Sequence, residues 1–476
     1  MPRNRRNTRR IKSIRDVLNL KTFLIIVGIL MLVIITCVVI NSYKQYQDRQ
    51  LLARQKEEIE KQSEEIFSQI NDNISQTNQN ISESDVLIQM SAVGDILCSQ
   101  AMLDDAYNER ADYYDFSNMF RKAAGYINKA DIVMGTMETG IIDNGNYNDK
   151  NAPIEFARAV KNSGVNLVTI AHNHSLDNGV SGIQETKDNL EELGFSVFGD
   201  KLENSNAVII KEVKKAKIAF LTYTCFLDGE TQKTDEEKNC INMYSEEQAK
   251  SDIEYAKENG AEYICVLIHW GDAISETVNE EQKQIADFLV DNDVDMILGA
   301  HPSIVQPMEI RQNADGDNVF IAYSIGTYVS TLSSEEARTE LVLNIELRKS
   351  GKDGKIYLNK VDYTPIYMLD NGENAANRFE LIDMKSTATA YAEGNTDIVT
   401  RETYDKLIKA LNRLNNILAQ WNKGTVLLFQ KWNRGTHHLY KIAIGVSLSF
   451  QKWNKRTVPL FQKEVINESR IRIIRM

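Results

Sequence analysis

Cysteine is scarce in this 476-residue chain, and its five copies (Cys37, Cys98, Cys225, Cys240, Cys265) show no Cys-x-x-Cys spacing. Neither a zinc ribbon nor a disulfide framework is therefore indicated. Positive charge is missing from the middle, where residues 22–400 hold 32 Lys/Arg against 62 Asp/Glu. Nucleic acid, whose binding rewards dense Lys and Arg, is excluded as an expected partner. The net charge of −12 conceals two basic ends: eight Lys/Arg against one acid in residues 1–21, and fifteen against four in residues 401–476. Glycine and proline are both absent from residues 44–85. What is present is ordinary for a folded protein: 42% hydrophobic and 26% charged residues leave room for one large or two modest domains and exclude a disordered or fibrous chain.

One long apolar run stands out. Phe23 to Ile40 is apolar but for Gly28 and Thr36; as a helix it spans about 27 Å, close to a bilayer's hydrocarbon thickness. A cleaved signal peptide is the rival reading. Its apolar region is shorter and ends in small residues, whereas this run ends in Asn41-Ser42-Tyr43-Lys44. The basic segment 1–22 precedes the run, so the positive-inside rule places the N-terminus in the cytoplasm and the rest outside it. Residues 41–85 read as a helical stalk. Leu52, Ile59 and Ile66 repeat every seven residues, but the partner heptad positions are polar, so a coiled-coil dimer is not indicated.

From Val86 to about residue 370, short apolar runs alternate with amphipathic stretches, which argues an α/β domain with strands between helical layers. Residues 371–476 read as a C-terminal extension. Three of the four tryptophans lie there, in near-copies of one phrase starting at Trp421, Trp432 and Trp453. The repeating unit is too short for a solenoid. The preferred reading is appended repetitive sequence, and the rival is a basic, aromatic membrane- or wall-touching segment.

The histidines carry the sharpest chemical signal. Of six, four (His172, His174, His269, His301) each follow an expected strand. Open α/β sheets bind ligands at the carboxyl ends of their strands. Asp95 and Glu138 hold the same kind of position, in Val93-Gly94-Asp95 and Gly135-Thr136-Met137-Glu138. Gly94 is expected to turn the backbone sharply there. With Asn173 they form an oxygen and imidazole set suited to Mn²⁺, Fe or Zn²⁺, in one or two ions. Such ions activate water and clamp a phosphoryl or carbonyl oxygen.

These phrases resemble those of the CapA-type poly-γ-glutamate capsule biosynthesis proteins: Val93-Gly94-Asp95, Met137-Glu138-Thr139, Ala171-His172-Asn173-His174-Ser175-Leu176-Asp177-Asn178-Gly179, His269-Trp270-Gly271, Gly299-Ala300-His301-Pro302-Ser303 and Tyr323-Ser324-Ile325-Gly326-Thr327-Tyr328. The resemblance runs from about residue 86 to 365. It implies a metallophosphatase-like four-layer α/β sandwich with a two-metal site at the strand ends, held outside the cell by a single membrane span. It implies metal ligands at Asp95, Glu138, Asn173, His174, His269 and His301, and catalytic work at His174, Asp177 and His269, with Asp177 orienting a neighbour. The expected partners are the membrane, an anionic surface polymer of poly-γ-glutamate type and other capsule-synthesis membrane proteins.

The chain departs from the family pattern at Thr136, His172, Ala273, Ser303 and Thr327. At 303 the pattern has histidine, and a serine hydroxyl is a far weaker ligand than imidazole. About one tightly held ion is therefore expected. Three readings follow: an accessory protein in capsule polymer synthesis, export or anchoring; a metal-dependent hydrolase of a phosphoester or peptide bond; and a non-catalytic binding module.

Overall fold

The computed structural model describes residues 14–422, apart from short stretches at 78–80, 128–129, 204–206, 330 and 333. The tryptophan phrases at 432 and 453 lie outside the described residues.

The described residues open with helix α1 (Ile14–Thr77). The fourteen strands that build the two large sheets follow as β1 (Val86–Ile96), β2 (Ile132–Met137), β3 (Leu167–Thr169), β4 (Ser196–Phe198), β5 (Val208–Val213), β6 (Ala216–Thr224), β7 (Tyr263–His269), β8 (Met296–Ala300), β9 (Met308–Gln312), β10 (Asn318–Ala322), β11 (Thr327–Val329), β12 (Thr339–Lys349), β13 (Ile356–Asp370) and β14 (Phe379–Asp383). The larger helices between and after them are α2 (Ile154–Ser163), α3 (Gly179–Glu192), α4 (Glu246–Glu258), α5 (Glu280–Asp291), α6 (Met384–Ala392) and α7 (Arg401–Leu418).

One sheet has eight strands in the order β14-β13-β12-β1-β2-β3-β4, with β11 also pairing β1. The other has six, in the order β9-β10-β8-β7-β6-β5. Both have parallel centres (β1-β2-β3-β4 and β6-β7-β8-β10) and antiparallel edges. The centres are runs of residues buried on both faces, as parallel strands require. In β7, Tyr263, Cys265 and Leu267 point between the sheets, while Ile264, Val266 and Ile268 pack under α4 and α5. The other sheet shows the same division: Met90, Ala92 and Met134 face inward, and Val133 and Val168 pack under α2 and α3. The result is the expected four-layer sandwich, helix–sheet–sheet–helix.

The structured region is larger than the expected 86–370. The boundary at 370 falls at the end of β13; β14, α6 and α7 then close the core, with Leu407, Leu411, Leu414 and Leu418 buried at helical spacing. The expected extension 371–476 thus begins inside the domain: the apolar face of α7 is buried in one core with β13 and α6.

The stalk is a helix, as expected, but its second half packs against the domain. Leu52, Ile59, Phe67, Ile70 and Ile74 are buried in the same core as β13, α6 and α7. Polar contacts fix the register: the Asn71 amide brackets Val361, donating to its carbonyl (3.1 Å) and accepting from its N–H (3.0 Å). Ser63 Oγ lies 3.1 Å from the Tyr363 hydroxyl and accepts from Lys385 Nζ at 2.8 Å. The apolar seam that reads as too weak for a coiled coil thus finds its partner within the same chain. Phe23–Ile40, by contrast, is exposed throughout, and α1 contains the one helix segment among the described residues long and apolar enough to cross a membrane.

Between β1 and β2 the chain makes two single helical turns, Ser117–Phe120 and Ala124–Ile127.

Candidate metal centre

Strand alternation aims two of the expected ligands at each other. In β7 the odd-numbered residues face between the sheets, which places His269, its last residue, on that side. In β1, uninterrupted alternation from Met90 and Ala92 would point Asp95 outward. The register instead slips between Ala92 and Asp95, and Ile96 falls in the outer core. An extra residue in a strand reverses its faces, so Asp95 turns inward.

Gly94 is needed for a reason other than the expected sharp turn. It lies within β1, where the chain entering β11 crosses so closely that a Cβ on Gly94 would sit 1.8 Å from the Gly326 carbonyl oxygen. Only glycine permits that approach.

The first group comprises Asp95, Asn173, His269 and His301. Asp95 and His269 are fully buried. Asp95 Oδ2 accepts from the His301 backbone N–H at 2.9 Å. Asn173 Nδ2 donates to Asp228 Oδ1 at 3.1 Å, which turns Asn173 Oδ1 toward His269 Nε2 at 2.8 Å. Since Oδ1 can only accept, Nε2 carries the proton; His301 Nδ1, 3.1 Å from the same nitrogen, faces it as a second acceptor. Burial, with the neighbouring His301, His172 and His174, pushes the His269 pKa well below its ordinary value, so the ring is neutral. Its Nδ1 is then a bare lone pair. That lone pair faces Asp95 Oδ1 at 3.6 Å, and neither atom has a hydrogen-bond partner.

Two buried acceptors facing each other are unfavourable unless a cation or proton lies between them. Desolvation moves Asp95 toward the proton, raising its pKa to about 7 against the pull of the His301 N–H and the His174 charge. A divalent ion would meet the same need. Burial also lowers His172 to about 3 and His301 to about 4, so the imidazoles are neutral, as ligation requires. Among the described residues no three His, Cys, Asp or Glu side chains are already arranged as an ion cage. The two unpartnered acceptors fit one ion at the Asp95–His269 gap, while Asn173 Oδ1 and His301 Nδ1 face the other nitrogen of the His269 ring.

The second group comprises Glu138, His174 and Asp177. His174 Nδ1 donates to Asp177 Oδ2 at 3.0 Å, and its Nε2 lies 3.9 Å from Glu138 Oε1. The Asp177 bond, outweighing partial burial, raises the His174 pKa. Asp177 is lowered overall: burial pushes it up, but His174 and Lys150 hold it charged. Glu138 is driven well above the usual carboxylate range by burial, then by Asp95, Asp228 and Asp177.

Ser303 takes no part. Its hydroxyl donates to the His301 carbonyl at 3.2 Å. His301 and Ser303 both adopt left-handed backbone (φ 91° and 56°), so the loop after β8 is strained where it enters the site.

Asp228 and Lys150 were not legible as site residues. Asp228 follows β6, binds Asn173 and lies 3.4 Å from His174 Nδ1. Its position four residues past Thr224, the last residue of a buried strand, is the signal that could have found it. Lys150 Nζ lies 3.3 Å from Asp177 Oδ2; nothing in its polar loop marks it.

A family model described as bacterial capsule synthesis protein PGA_cap matches residues 89–332, and the chain belongs to that family. The capsule biosynthesis protein CapA of Bacillus anthracis is 25% identical over 276 residues, covering 56% of this chain and 65% of that protein, just under two thirds of its length. The PGA biosynthesis protein CapA of Bacillus subtilis (strain 168) is 24% identical over 299 residues, covering 59% and 72%. Similar solved structures include a putative 5'-nucleotidase from Staphylococcus aureus (13% identity, 65% of this chain and 58% of that one, TM-score 0.39). The calcineurin-like phosphoesterase YfkN from Bacillus subtilis is another (13%, 70% and 98%, TM-score 0.37).

Proposed function

We propose that the chain works outside the cytoplasm, anchored by Phe23–Ile40, in the synthesis, export or anchoring of an anionic capsule polymer of poly-γ-glutamate type, with one divalent ion (Mn, Fe or Zn) at the Asp95–His269 gap. The observation that carries the ion is the pair of facing, unpartnered acceptors 3.6 Å apart. The polymer enters through family membership.

An ion bound there would polarise a carbonyl or phosphoryl oxygen of the substrate and acidify a water. The protein's own groups do the rest. Asp177 accepts from His174 Nδ1, which fixes the tautomer and leaves Nε2 to take or give a proton. Asn173 holds His269 with Nε2 protonated, and Asp228 holds Asn173. Lys150 brings positive charge to a cluster of carboxylates that would otherwise repel a polyanion. The His174–Asp177 pair favours a second reading within the first, hydrolysis of a peptide bond or phosphoester at this site. Other capsule-synthesis membrane proteins are the natural partners of such an anchored chain.

Expression in a capsule-forming bacterium that lacks its own family member tests the proposal. Wild type should restore cell-associated polymer, and Asp95→Asn and His269→Ala should not. Protease added to wall-stripped cells should remove everything beyond about residue 44, since one span of this length crosses the bilayer once. Failure of the wild type to restore polymer, or protection of the domain, overturns the proposal.

A further inference from the structure

The loop between β7 and α5 carries an anomaly that the metal centre does not use. Ile274 has a left-handed backbone, φ 53°, in a β-branched residue for which that region is a genuine outlier. It is also 58% exposed, more than any other large apolar residue after α1 among the described residues. Strain of this kind persists only where surrounding contacts over-determine the backbone, and here they do. Ile274 N–H donates to the Pro302 carbonyl at 2.8 Å, next to His301. The fully buried Gln306 amide donates to the carbonyls of Ser275 and Thr277, both at 3.0 Å, and is itself held by Gln282 at 2.9 Å. From the other side Arg413 of α7 grips Glu276.

The clamp therefore presents an isoleucine to solvent, at a conformational cost, beside the His301 loop. An aliphatic side chain offers no hydrogen bond, so what it can recognise is apolar. We infer that Ile274 is a specificity-determining residue of the site, packing on the methylene groups of a carboxylate-bearing chain beside the His301 loop. This rests on the polymer reading above. A γ-linked glutamyl repeat has that chemistry, carboxylates separated by backbone methylenes.

The test uses the full chain in detergent, with γ-linked polyglutamate and polyphosphate as probes, the second being a polyanion without methylenes. Asn and Gly accept left-handed backbone, so Ile274→Asn and Ile274→Gly should melt no lower than wild type. Both should bind γ-polyglutamate about tenfold more weakly, the scale of one partly buried aliphatic contact, with polyphosphate binding unchanged. Ile274→Leu should bind γ-polyglutamate much as wild type does. Wild-type affinity for γ-polyglutamate in both polar and glycine variants overturns the inference and leaves the polymer reading standing. Equal losses on both probes also overturn it, since they indicate a displaced loop. If wild type binds γ-polyglutamate not at all, the polymer reading fails and this inference with it.

Discussion

Asp95 Oδ1 and His269 Nδ1 face each other across 3.6 Å at the join of the two sheets, both fully buried and neither hydrogen-bonded. The bulge in β1 and the alternation of β7 create that relationship, and the Asp228–Asn173–His269 chain decides which nitrogen is bare.

The first prediction concerns protonation in metal-free protein. The folded pKa of Asp95 is raised to about 7 from 3.8. A raised carboxyl contributes stability that is full below the unfolded value and is lost as pH rises through the folded one. The histidines act oppositely, so the useful quantity is a difference. Asp95→Asn should gain progressively on wild type in melting temperature as pH rises from about 4 to about 7, the window between the unfolded and folded Asp95 values. A divalent ion should reverse the order at pH 7. A difference independent of pH would show that Asp95 is not held toward its protonated form.

Asp228 acts through Asn173, not on the substrate. Asp228→Ala frees the Asn173 amide to rotate, and metal affinity should fall about 10- to 100-fold, as for other groups that orient ligands. Thermal stability should change little, since Asp228 is half-exposed. Titration of the variant with Zn²⁺ or Mn²⁺ reads the effect.

Ser303 stands where the family pattern has histidine. Ser303→His should raise metal content from about one ion per chain toward two, since imidazole is a far better ligand than a hydroxyl. The left-handed backbone at 303 (φ 56°) will strain the histidine, so some loss of melting temperature is expected. Unchanged metal content would show that the second position lacks more than this ligand.

The helix α1 is part of the fold. Phe67 and Ile70 are buried against β13, α6 and α7, and truncating either to Ala should cost about 2–5 kcal/mol. A soluble fragment should therefore start near residue 44 and end near 422; one starting at 86 should expose the β13 face and aggregate. Equal stability of the two fragments by chemical denaturation would contradict the packing.

That Asp95, Glu138, His269 and His301 gather at one edge was legible because each lies at or just past the end of an apolar run of strand length. The side each faces was not legible. Asp95 turns inward through a bulge, and Gly94 is required by a chain crossing from residue 326, a contact no local pattern records. Asp228 and Lys150 lie in polar loops whose approach to His174 and Asp177 is set by the packing of the two sheets. The domain boundary is a different case. Leu407, Leu411, Leu414 and Leu418 repeat at helical spacing, so α7 could have been read from periodicity. The seam of α1 was visible too, but its partner is β13, some 290 residues away.

The most direct measurement is the metal content of purified full-length protein after dialysis against a stated divalent ion, for wild type, Asp95→Asn and His269→Ala. The account predicts about one ion per chain in wild type and close to none in either variant, because each removes one of the only two unpartnered acceptors at the gap. Metal content in both variants equal to wild type, or no ion in wild type under conditions where it is folded, would contradict it.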